Sequence, residues 1–188
     1  MTTAQCLSLL SAIALLLIGM SAAAQTGQKL PSHTLTIEVE GTPEEFWRYF
    51  EPVDLATLFK TVGKIPGVQA TTPVASWHIP GSKRTVYLVS GDTAQEEIVA
   101  CTVPVYFQYK VSKFTLPARY FCKHAMGEWQ IQPVNHKTRV QWTYTFYPKD
   151  FPFFKFLLRG FVNRQWKGYM EESMRNLQLN YTSHRNKR

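Results

Sequence analysis

Between Val68 and Pro148 the sequence is a succession of short alternating segments, and no other feature limits the possible folds as strongly. Short stretches rich in turn-forming residues divide this span into six strands: IPGS, SGDT, TVP, TLPA and VNHK. Strands joined by such short links pair with their sequence neighbours in antiparallel fashion. The sequence therefore predicts a six-stranded antiparallel meander.

After the meander the hydrophobic period changes from 2 to 3.6. From Pro152 to about Tyr181 apolar residues recur at helical spacing and form one broad stripe: Phe154, Leu158, Phe161, Val162, Trp166, Tyr169, Met170, Met174, Leu177 and Tyr181. The opposite face is polar: Lys155, Arg159, Asn163, Lys167, Glu171 and Arg175. Such a helix can lie on a membrane, but an aromatic stripe this wide is more typical of a helix packed on a sheet.

A strand and two short helices precede the meander. His33–Glu40 alternates as a strand, and the next helix begins with Thr42 as N-cap, Pro43 at the first position and Glu45 at the third. A second short helix is predicted within residues 53–62. The fold class is therefore α+β, with a seven-stranded antiparallel sheet wrapped around a long C-terminal helix and two short helices after strand 1.

This order of elements resembles the helix-grip fold of the START-like (SRPBCC) superfamily, which includes polyketide cyclases and dehydrases, plant allergens, hormone receptors and lipid-transfer domains. The segments that carry the resemblance are PEEFWRYFEPVDLATLF, PGSKRTVYL, SGDTAQEEI, YFQYKV, GEWQIQPV, TRVQWTYTFYP and the final helix. The resemblance implies a deep pocket between sheet and helix that takes an apolar or amphipathic ligand.

The N-terminus is predicted to be a secretory signal peptide. Residues Leu7–Met20 are apolar and uncharged but short for a bilayer span, and Ala22 and Ala24 supply the small residues of a cleavage site. We therefore expect a signal peptide over 1–24, and a START-like domain over 25–188 with its core at about 33–181 and a basic tail at 182–188. The n-region lacks Lys and Arg, so an uncleaved membrane anchor is the alternative.

The net charge of +8 is spread along the chain, with one small basic cluster in the tail. This distribution does not favour nucleic-acid binding, but it allows weak contact with an anionic membrane surface. Cys101 and Cys122 fall on the fourth and sixth strands, with one strand between them. The distance across two strand spacings is too long for a disulfide bond. We expect two reduced thiols and a monomer.

The hairpin at residues 83–100 carries charges that suggest a polar end to the pocket. With Gly91-Asp92 as a two-residue turn, Arg84 and Glu97 lie diagonally on one face. A pocket-facing pair suits a ligand with one polar end, and the Arg84 guanidinium favours an acidic one. An exposed ion pair on the convex face is equally compatible with the pattern. The family pattern aligns more naturally to Glu96, which leaves the identity of the pocket glutamate open.

The same periodicity selects the pocket lining. The predicted ligand-binding residues are Arg84, Val86, Leu88, Glu97, Phe107, Tyr109, Tyr120, Trp142, Tyr144, Phe146, Phe161 and Trp166. The entrance is predicted between the Ser90–Thr93 turn, the loop 113–117 and the helix. The histidines show no metal-ligand spacing and no phosphate-binding loop occurs, so we expect neither metal nor cofactor.

Three functions are compatible with these features. The favoured one is an exported binder or carrier of a hydrophobic or amphipathic small molecule, either lipid-like or aromatic. The second is a cyclase or dehydrase whose general acid or base would be Glu97, Tyr120 or His124, although export argues against it. The third is an interaction module whose basic helix and tail contact an envelope surface.

Overall fold

The computed structural model describes residues 29–187, so the predicted signal peptide and its cleavage site lie outside the described residues. The strands are β1 (Ser32–Glu40), β2 (Val68–Thr71), β3 (Lys83–Leu88), β4 (Thr93–Thr102), β5 (Tyr106–Ser112), β6 (Cys122–Val134) and β7 (Lys137–Pro148). The helices are α1 (Pro43–Phe50), α2 (Leu55–Leu58), α3 (Pro152–Phe161) and α4 (Lys167–Arg185). A 3-10 turn (Pro117–Tyr120) precedes β6.

The seven strands form one antiparallel sheet in the order β1-β7-β6-β5-β4-β3-β2. Strands β2 to β7 are the predicted meander, and β1 returns to pair with β7. The long C-terminal helix of 34 residues lies in the curve of this sheet. The predicted helix-grip fold is confirmed.

Helix α1 begins at the predicted capping box. The Thr42 hydroxyl accepts a hydrogen bond from the Glu45 backbone N–H, and the Glu45 carboxylate accepts one from the Thr42 N–H. These reciprocal bonds satisfy two donors that the first turn leaves free. The helix thereby buries Phe46, Trp47 and Phe50 on its apolar face.

The core lies between the inner face of the sheet and the long helix. Val140, Trp142, Tyr144 and Phe146 all face inward, as their alternation predicts, and Trp142 stacks on Trp129 with ring centroids 4.9 Å apart. Polar contacts fix the C-terminal half of the helix to strand β1, because the Gln178 amide donates to the Glu38 carbonyl at 2.9 Å and the Tyr181 hydroxyl donates to the Glu40 carbonyl at 3.1 Å. The sheet and the helix are therefore in direct contact along α4.

A π-turn (Val162–Trp166) joins α3 to α4 within the long helix. Its i→i+5 hydrogen bonding brings residues five apart onto one side of the helix. Phe161 and Trp166 therefore face the sheet together, with ring centroids 6.0 Å apart. The sequence periodicity predicts an unbroken α-helix here. The structure differs from that prediction by the one extra residue that the π-turn inserts.

The β3–β4 hairpin differs from the prediction in its turn. The loop has three residues, Val89–Gly91, with Leu88 N–H donating to the Asp92 carbonyl and Gly91 at φ +85°. This is the three-residue loop with glycine in the left-handed position, instead of a two-residue turn at Gly91-Asp92. The pairing shifts by an odd number of residues, so every side chain of β4 moves to the opposite face relative to the prediction.

The two cysteines of the described chain are unpaired, as predicted from their strands. Cys101 is half-buried on β4 and Cys122 is buried on β6. Within residues 29–187, no helix combines the length and apolar character needed to cross a bilayer.

Candidate functional site

A cavity of about 270 Å³ lies between the inner face of the sheet and the α3–α4 helix. Its volume is slightly below the usual range for small-molecule sites, about 300–1,000 Å³. Most of the wall is apolar: Leu55, Phe59, Ile65, Pro66, Val68, Val86, Leu88, Ala94, Val111, Phe114, Leu116, Pro117, Ala118, Phe121, Trp142, Phe146, Phe161 and Trp166. The remaining lining residues carry polar groups: Lys64, Glu96, Tyr109, Tyr144, Gln165 and Tyr169.

Three segments outside the sheet complete the cavity lining, and we infer that the cavity mouth lies between them. Residues 64–66 form one side, residues 114–118 the second, and the helix from Phe161 to Tyr169 the third. The loop and the helix that the sequence predicts at the entrance therefore both contribute to the lining. The Ser90–Thr93 turn is absent from the lining, because its Thr93 N–H and Asp92 carboxylate are engaged by the Thr115 hydroxyl.

Glu96 and Arg84 form a buried ion pair at the polar end of the cavity. The Arg84 Nε donates to Glu96 Oε2 at 2.7 Å, and the two side chains are 12% and 11% exposed. The guanidinium also lies over the Trp77 ring, 3.9 Å from its centroid. A buried charge is tolerated when it is paired and hydrogen-bonded, which this arrangement achieves.

Only one partner of this pair reaches the main cavity. Glu96 lines both the main cavity and a smaller adjoining pocket of about 30 Å³, whereas Arg84 lines the smaller pocket alone, together with Glu51 and Phe107. In this smaller pocket the Glu51 carboxylate accepts hydrogen bonds from the backbone N–H of Trp77 and from the His78 ring. A ligand in the main cavity therefore meets the carboxylate and not the guanidinium.

Three tyrosines surround the same polar end. Burial, followed by the negative charge of Glu96, raises the pKa of Tyr109 and that of Tyr169. Burial also raises the pKa of Tyr144 well above its usual value, with smaller contributions from Tyr109 and Glu96. All three hydroxyls therefore keep their protons at neutral pH and can donate hydrogen bonds.

Two of the lining residues, Trp142 and Trp166, contain buried indole N–H groups without a hydrogen-bond partner. The Trp166 Nε1 is buried without a hydrogen-bond partner. The Trp142 Nε1 lies close enough to the Tyr109 hydroxyl to affect its pKa, but the geometry is not that of a hydrogen bond. A buried donor without a partner costs free energy, and because protein atoms cover both nitrogens, a ligand oxygen would reach them only after a rearrangement of the surrounding side chains.

Tyr109 is held in place by a glycine on the neighbouring strand. Gly127 lies opposite Tyr109 in the β5–β6 pairing, and a Cβ at Gly127 would overlap the tyrosine ring. The ring therefore lies flat across β6, towards Tyr144 on β7. The missing side chain at Gly127 is what lets these two tyrosines meet.

The structure brings most of the predicted ligand-binding residues together. Eight of them line the main cavity: Val86, Leu88, Tyr109, Trp142, Tyr144, Phe146, Phe161 and Trp166. Arg84 and Phe107 line the smaller pocket instead. Their role in binding stays a prediction, because it rests on position alone.

The prediction that Glu97 faces the pocket is wrong. The shifted hairpin register pairs Arg84 with Glu96 and turns Glu97 to the outer face, where it lies 3.8 Å from Lys83 and 3.6 Å from Lys110. Glu96, the residue to which the family pattern aligned, occupies the pocket. The predicted preference for acidic ligands loses its basis, because a carboxylate lines the cavity.

Tyr120 and His124 also lie away from the cavity. Tyr120 ends the 3-10 turn and is 61% exposed, with its hydroxyl accepting a hydrogen bond from Arg119. A bulge at the start of β6 turns His124 outward, where its ring stacks on Tyr147 at 4.4 Å. Burial lowers the pKa of His124, and the nearby Lys110 and Lys123 charges lower it further.

Several lining residues fall outside the regular patterns used for prediction. Phe59 follows α2, and Phe114, Leu116 and Phe121 lie in or beside the loop between β5 and β6. Loop residues have no fixed period, so alternation cannot assign their faces. Their apolar character in otherwise polar loop sequence was the available signal.

The described chain holds no cluster of three or more His, Cys, Asp or Glu side chains suited to a metal ion. The lining residues contribute one carboxylate, three tyrosine hydroxyls, one amide and the Lys64 ammonium group. These groups can form hydrogen bonds to a neutral oxygen or nitrogen of a ligand.

The fold and the cavity define a START-like protein. A sequence model described as polyketide cyclase/dehydrase and lipid transport matches residues 31–181, and the chain belongs to this family. A search of curated proteins found no match. The family points to binding of hydrophobic small molecules.

Solved structures with the same fold are distant in sequence. The protein XoxI from Bacillus cereus is 17% identical, with a TM-score of 0.58, and the match covers 81% of this chain and 96% of that one. Ara h 8.0201 is 18% identical, with a TM-score of 0.57 and coverages of 81% and 99%. A protein from Arthrobacter aurescens is 12% identical, with a TM-score of 0.61 and coverages of 82% and 87%. These similarities establish the fold.

Proposed function

We propose that the protein binds or carries a neutral amphipathic molecule, with an apolar body and a hydroxyl or carbonyl group, in the cavity between sheet and helix. The observation that carries this proposal is the cavity itself, which is apolar along most of its wall and polar at the Glu96 end. The Tyr hydroxyls can donate a hydrogen bond to a ligand oxygen, and the Glu96 carboxylate can accept a hydrogen bond from a ligand hydroxyl. A ligand carboxylate would be repelled by Glu96.

Filling the cavity tests the proposal. Val86 lines the cavity and is 5% exposed, whereas its neighbour Tyr87 lies on the outer face and is 42% exposed. Val86→Trp should abolish binding of the neutral fluorescent probe N-phenyl-1-naphthylamine, and the control Tyr87→Trp should leave it unchanged. Circular dichroism and thermal unfolding check that both variants fold, and Ala94→Leu, opposite Val86 in the sheet, is a smaller filling change.

The polar end predicts a preference between two ligands of equal length. In competition with the probe, decanol should bind with a Kd about tenfold or more below that of decanoic acid. A tenfold difference corresponds to roughly 1.4 kcal/mol of binding free energy. In the double variant Arg84→Met/Glu96→Gln, which removes both charges together, this preference should shrink. Probe binding that survives Val86→Trp, or tighter binding of the acid, would refute the proposed ligand class.

We also propose that this binder is exported, on the support of the apolar Leu7–Met20 run and the Ala22-x-Ala24 site. N-terminal sequencing of the protein recovered from its host should begin at or near Gln25. A chain that begins at Met1 and fractionates with membranes would replace export with anchoring.

Cyclase or dehydrase chemistry is the second candidate, supported by the family description. The three catalytic candidates from the sequence lie outside the cavity, so any acid–base role would pass to Glu96, which is the carboxylate among the lining residues. The Arg84 ion pair engages that carboxylate, which favours a hydrogen-bonding role over proton transfer. If the protein turned over a hydroxylated aromatic polyketide and Glu96→Gln abolished that turnover, the enzyme would replace the binder as the favoured function.

A further inference from the structure

The first two turns of the long helix expose an unusual number of large apolar side chains. Phe151, Phe153, Phe156 and Leu157 are 56%, 52%, 71% and 39% exposed, and we refer to these four residues as the aromatic patch. The Phe153 and Phe156 rings stack with centroids 6.0 Å apart, so they form one surface. Single exposed apolar residues are ordinary, but a contiguous group of this kind marks an interaction site.

The charge around the aromatic patch is strongly positive. Residues 149–167 contain five basic and one acidic side chain. The acidic one, Asp150, is paired with Lys123 at 2.6 Å, whereas Arg164, about two turns beyond the patch, is exposed. Aromatic side chains flanked by Lys and Arg are typical of helices that lie at a membrane interface.

This charge decides between possible occupants. A second copy of the chain would bring two basic surfaces together, which is repulsive. A lipid surface with anionic headgroups accepts both features, because its acyl region takes the rings and its headgroups attract the cations. The aromatic patch is therefore complementary to an anionic bilayer.

The aromatic patch also adjoins the cavity mouth. Phe154, between the exposed rings, is half-buried and packs on Phe151 at 5.2 Å and on Phe121 at 6.5 Å. Phe121 lines the cavity, and Phe161 on the same helix does so as well. We propose that the aromatic patch docks on an anionic lipid surface and thereby places the cavity mouth against it.

The proposal goes beyond ligand binding, and its test needs no ligand. Vesicles of phosphatidylcholine with and without phosphatidylglycerol are mixed with the full chain, and binding is followed by sedimentation. We expect binding to the anionic vesicles that exceeds binding to the neutral ones and weakens as salt is raised. The double variant Phe153→Ser/Phe156→Ser should bind about tenfold more weakly or worse, because two inserted rings are lost.

A matched control separates the aromatic patch from surface hydrophobicity in general. Leu179 on α4 is 52% exposed and outside the patch, so Leu179→Ser should bind vesicles like the unchanged protein. The unchanged protein, the patch variant and Leu179→Ser all contain the apolar Leu7–Met20 run. Any contribution of this run to vesicle binding is therefore common to all three. Hydrogen exchange should show vesicle-induced protection in peptides covering 149–161.

Three results would overturn the proposal: equal vesicle binding by the patch variant and the unchanged protein, equal binding to neutral and anionic vesicles, or no protection at 149–161. The cavity variant Val86→Trp distinguishes the two proposals. It should lose the fluorescent probe and keep vesicle binding, whereas the patch variant should keep the probe and lose the vesicles.

Discussion

Removal of Arg84 should be far more costly than removal of its neighbour Lys83. Arg84 is paired with Glu96 at 2.7 Å, and both side chains are nearly buried. Arg84→Met would leave the Glu96 carboxylate buried without its counter-charge, which typically costs about 3–5 kcal/mol. Each side chain keeps about a tenth of its surface exposed and Glu96 borders a cavity, so we expect the lower end, about 3 kcal/mol.

The control is the neighbouring pair on the same two strands. Lys83 lies 3.8 Å from Glu97 on the outer face, and the two side chains are 53% and 30% exposed. Solvent screens such a pair, so Lys83→Met should cost less than about 1 kcal/mol. The two substitutions thus remove one cation each, one residue apart, from opposite faces of the sheet.

Urea unfolding at neutral pH measures both free energies of unfolding. For a chain of this size, 3 kcal/mol corresponds to a Tm lower by roughly 6–12 °C. The double variant Arg84→Met/Glu96→Gln should cost clearly less than the sum of the single changes, because no charge is left unpaired. Equal and small costs for Arg84→Met and Lys83→Met would refute the placement of Glu96 in the cavity wall.

Three further predictions concern the sheet. Gly127→Ala should lower the free energy of unfolding by about 1–3 kcal/mol because its Cβ overlaps the Tyr109 ring, and Tyr109→Leu should recover part of the loss; urea unfolding measures both. Under denaturing conditions without reductant, Cys101 and Cys122 should both react with a thiol reagent, whereas loss of both signals would indicate a disulfide. In the folded protein burial raises the pKa of Cys122 to about 11, so its alkylation, followed by mass spectrometry, should be slow at neutral pH and accelerate as pH rises towards that value.

The sequence predicts the strands and the long helix because hydrophobic period is a direct consequence of backbone geometry. The alternation of residues 139–147 and the helical stripe from Leu158 to Tyr181 each bury one face, and the structure places those faces in the core. The capping box at Thr42 is equally local, since all its atoms lie within four residues. Element type and order therefore follow from short-range patterns.

The hairpin register could not be obtained in this way. The SGDT segment allows glycine either at the first position of a two-residue turn or at the left-handed position of a three-residue loop. Both choices satisfy local sterics, and they differ in which face of β4 is buried. The hydrogen bonds of Thr115 to Asp92 and Thr93 favour the observed loop, and they come from a segment more than twenty residues away.

The π-turn and the cavity mouth depend on packing in the same way. Phe161 and Trp166 both belong to the apolar stripe, and an unbroken α-helix would separate them around its axis. The π-turn turns both rings towards the sheet, where Trp166 contacts Tyr144 and Phe161 contacts Phe146, with ring centroids 4.6 and 5.6 Å apart. The choice between an α-turn and a π-turn depends on those sheet residues, which the helix sequence does not contain.

The three-residue loop has a chemical consequence that reaches beyond the hairpin. With a two-residue turn, Glu96 would face solvent and Glu97 would take its place on the inner face; in the observed register, Glu96 lines the cavity close enough to Tyr109, Tyr144 and Tyr169 to raise the pKa of each. Arg84 then compensates the Glu96 charge from outside the main cavity, so this end of the cavity presents an acceptor and tyrosine donors without the Arg84 cation. A neutral hydroxyl or carbonyl satisfies these groups, whereas an acid does not. The ligand class therefore depends on the conformation of Val89–Gly91, three residues that do not line the cavity.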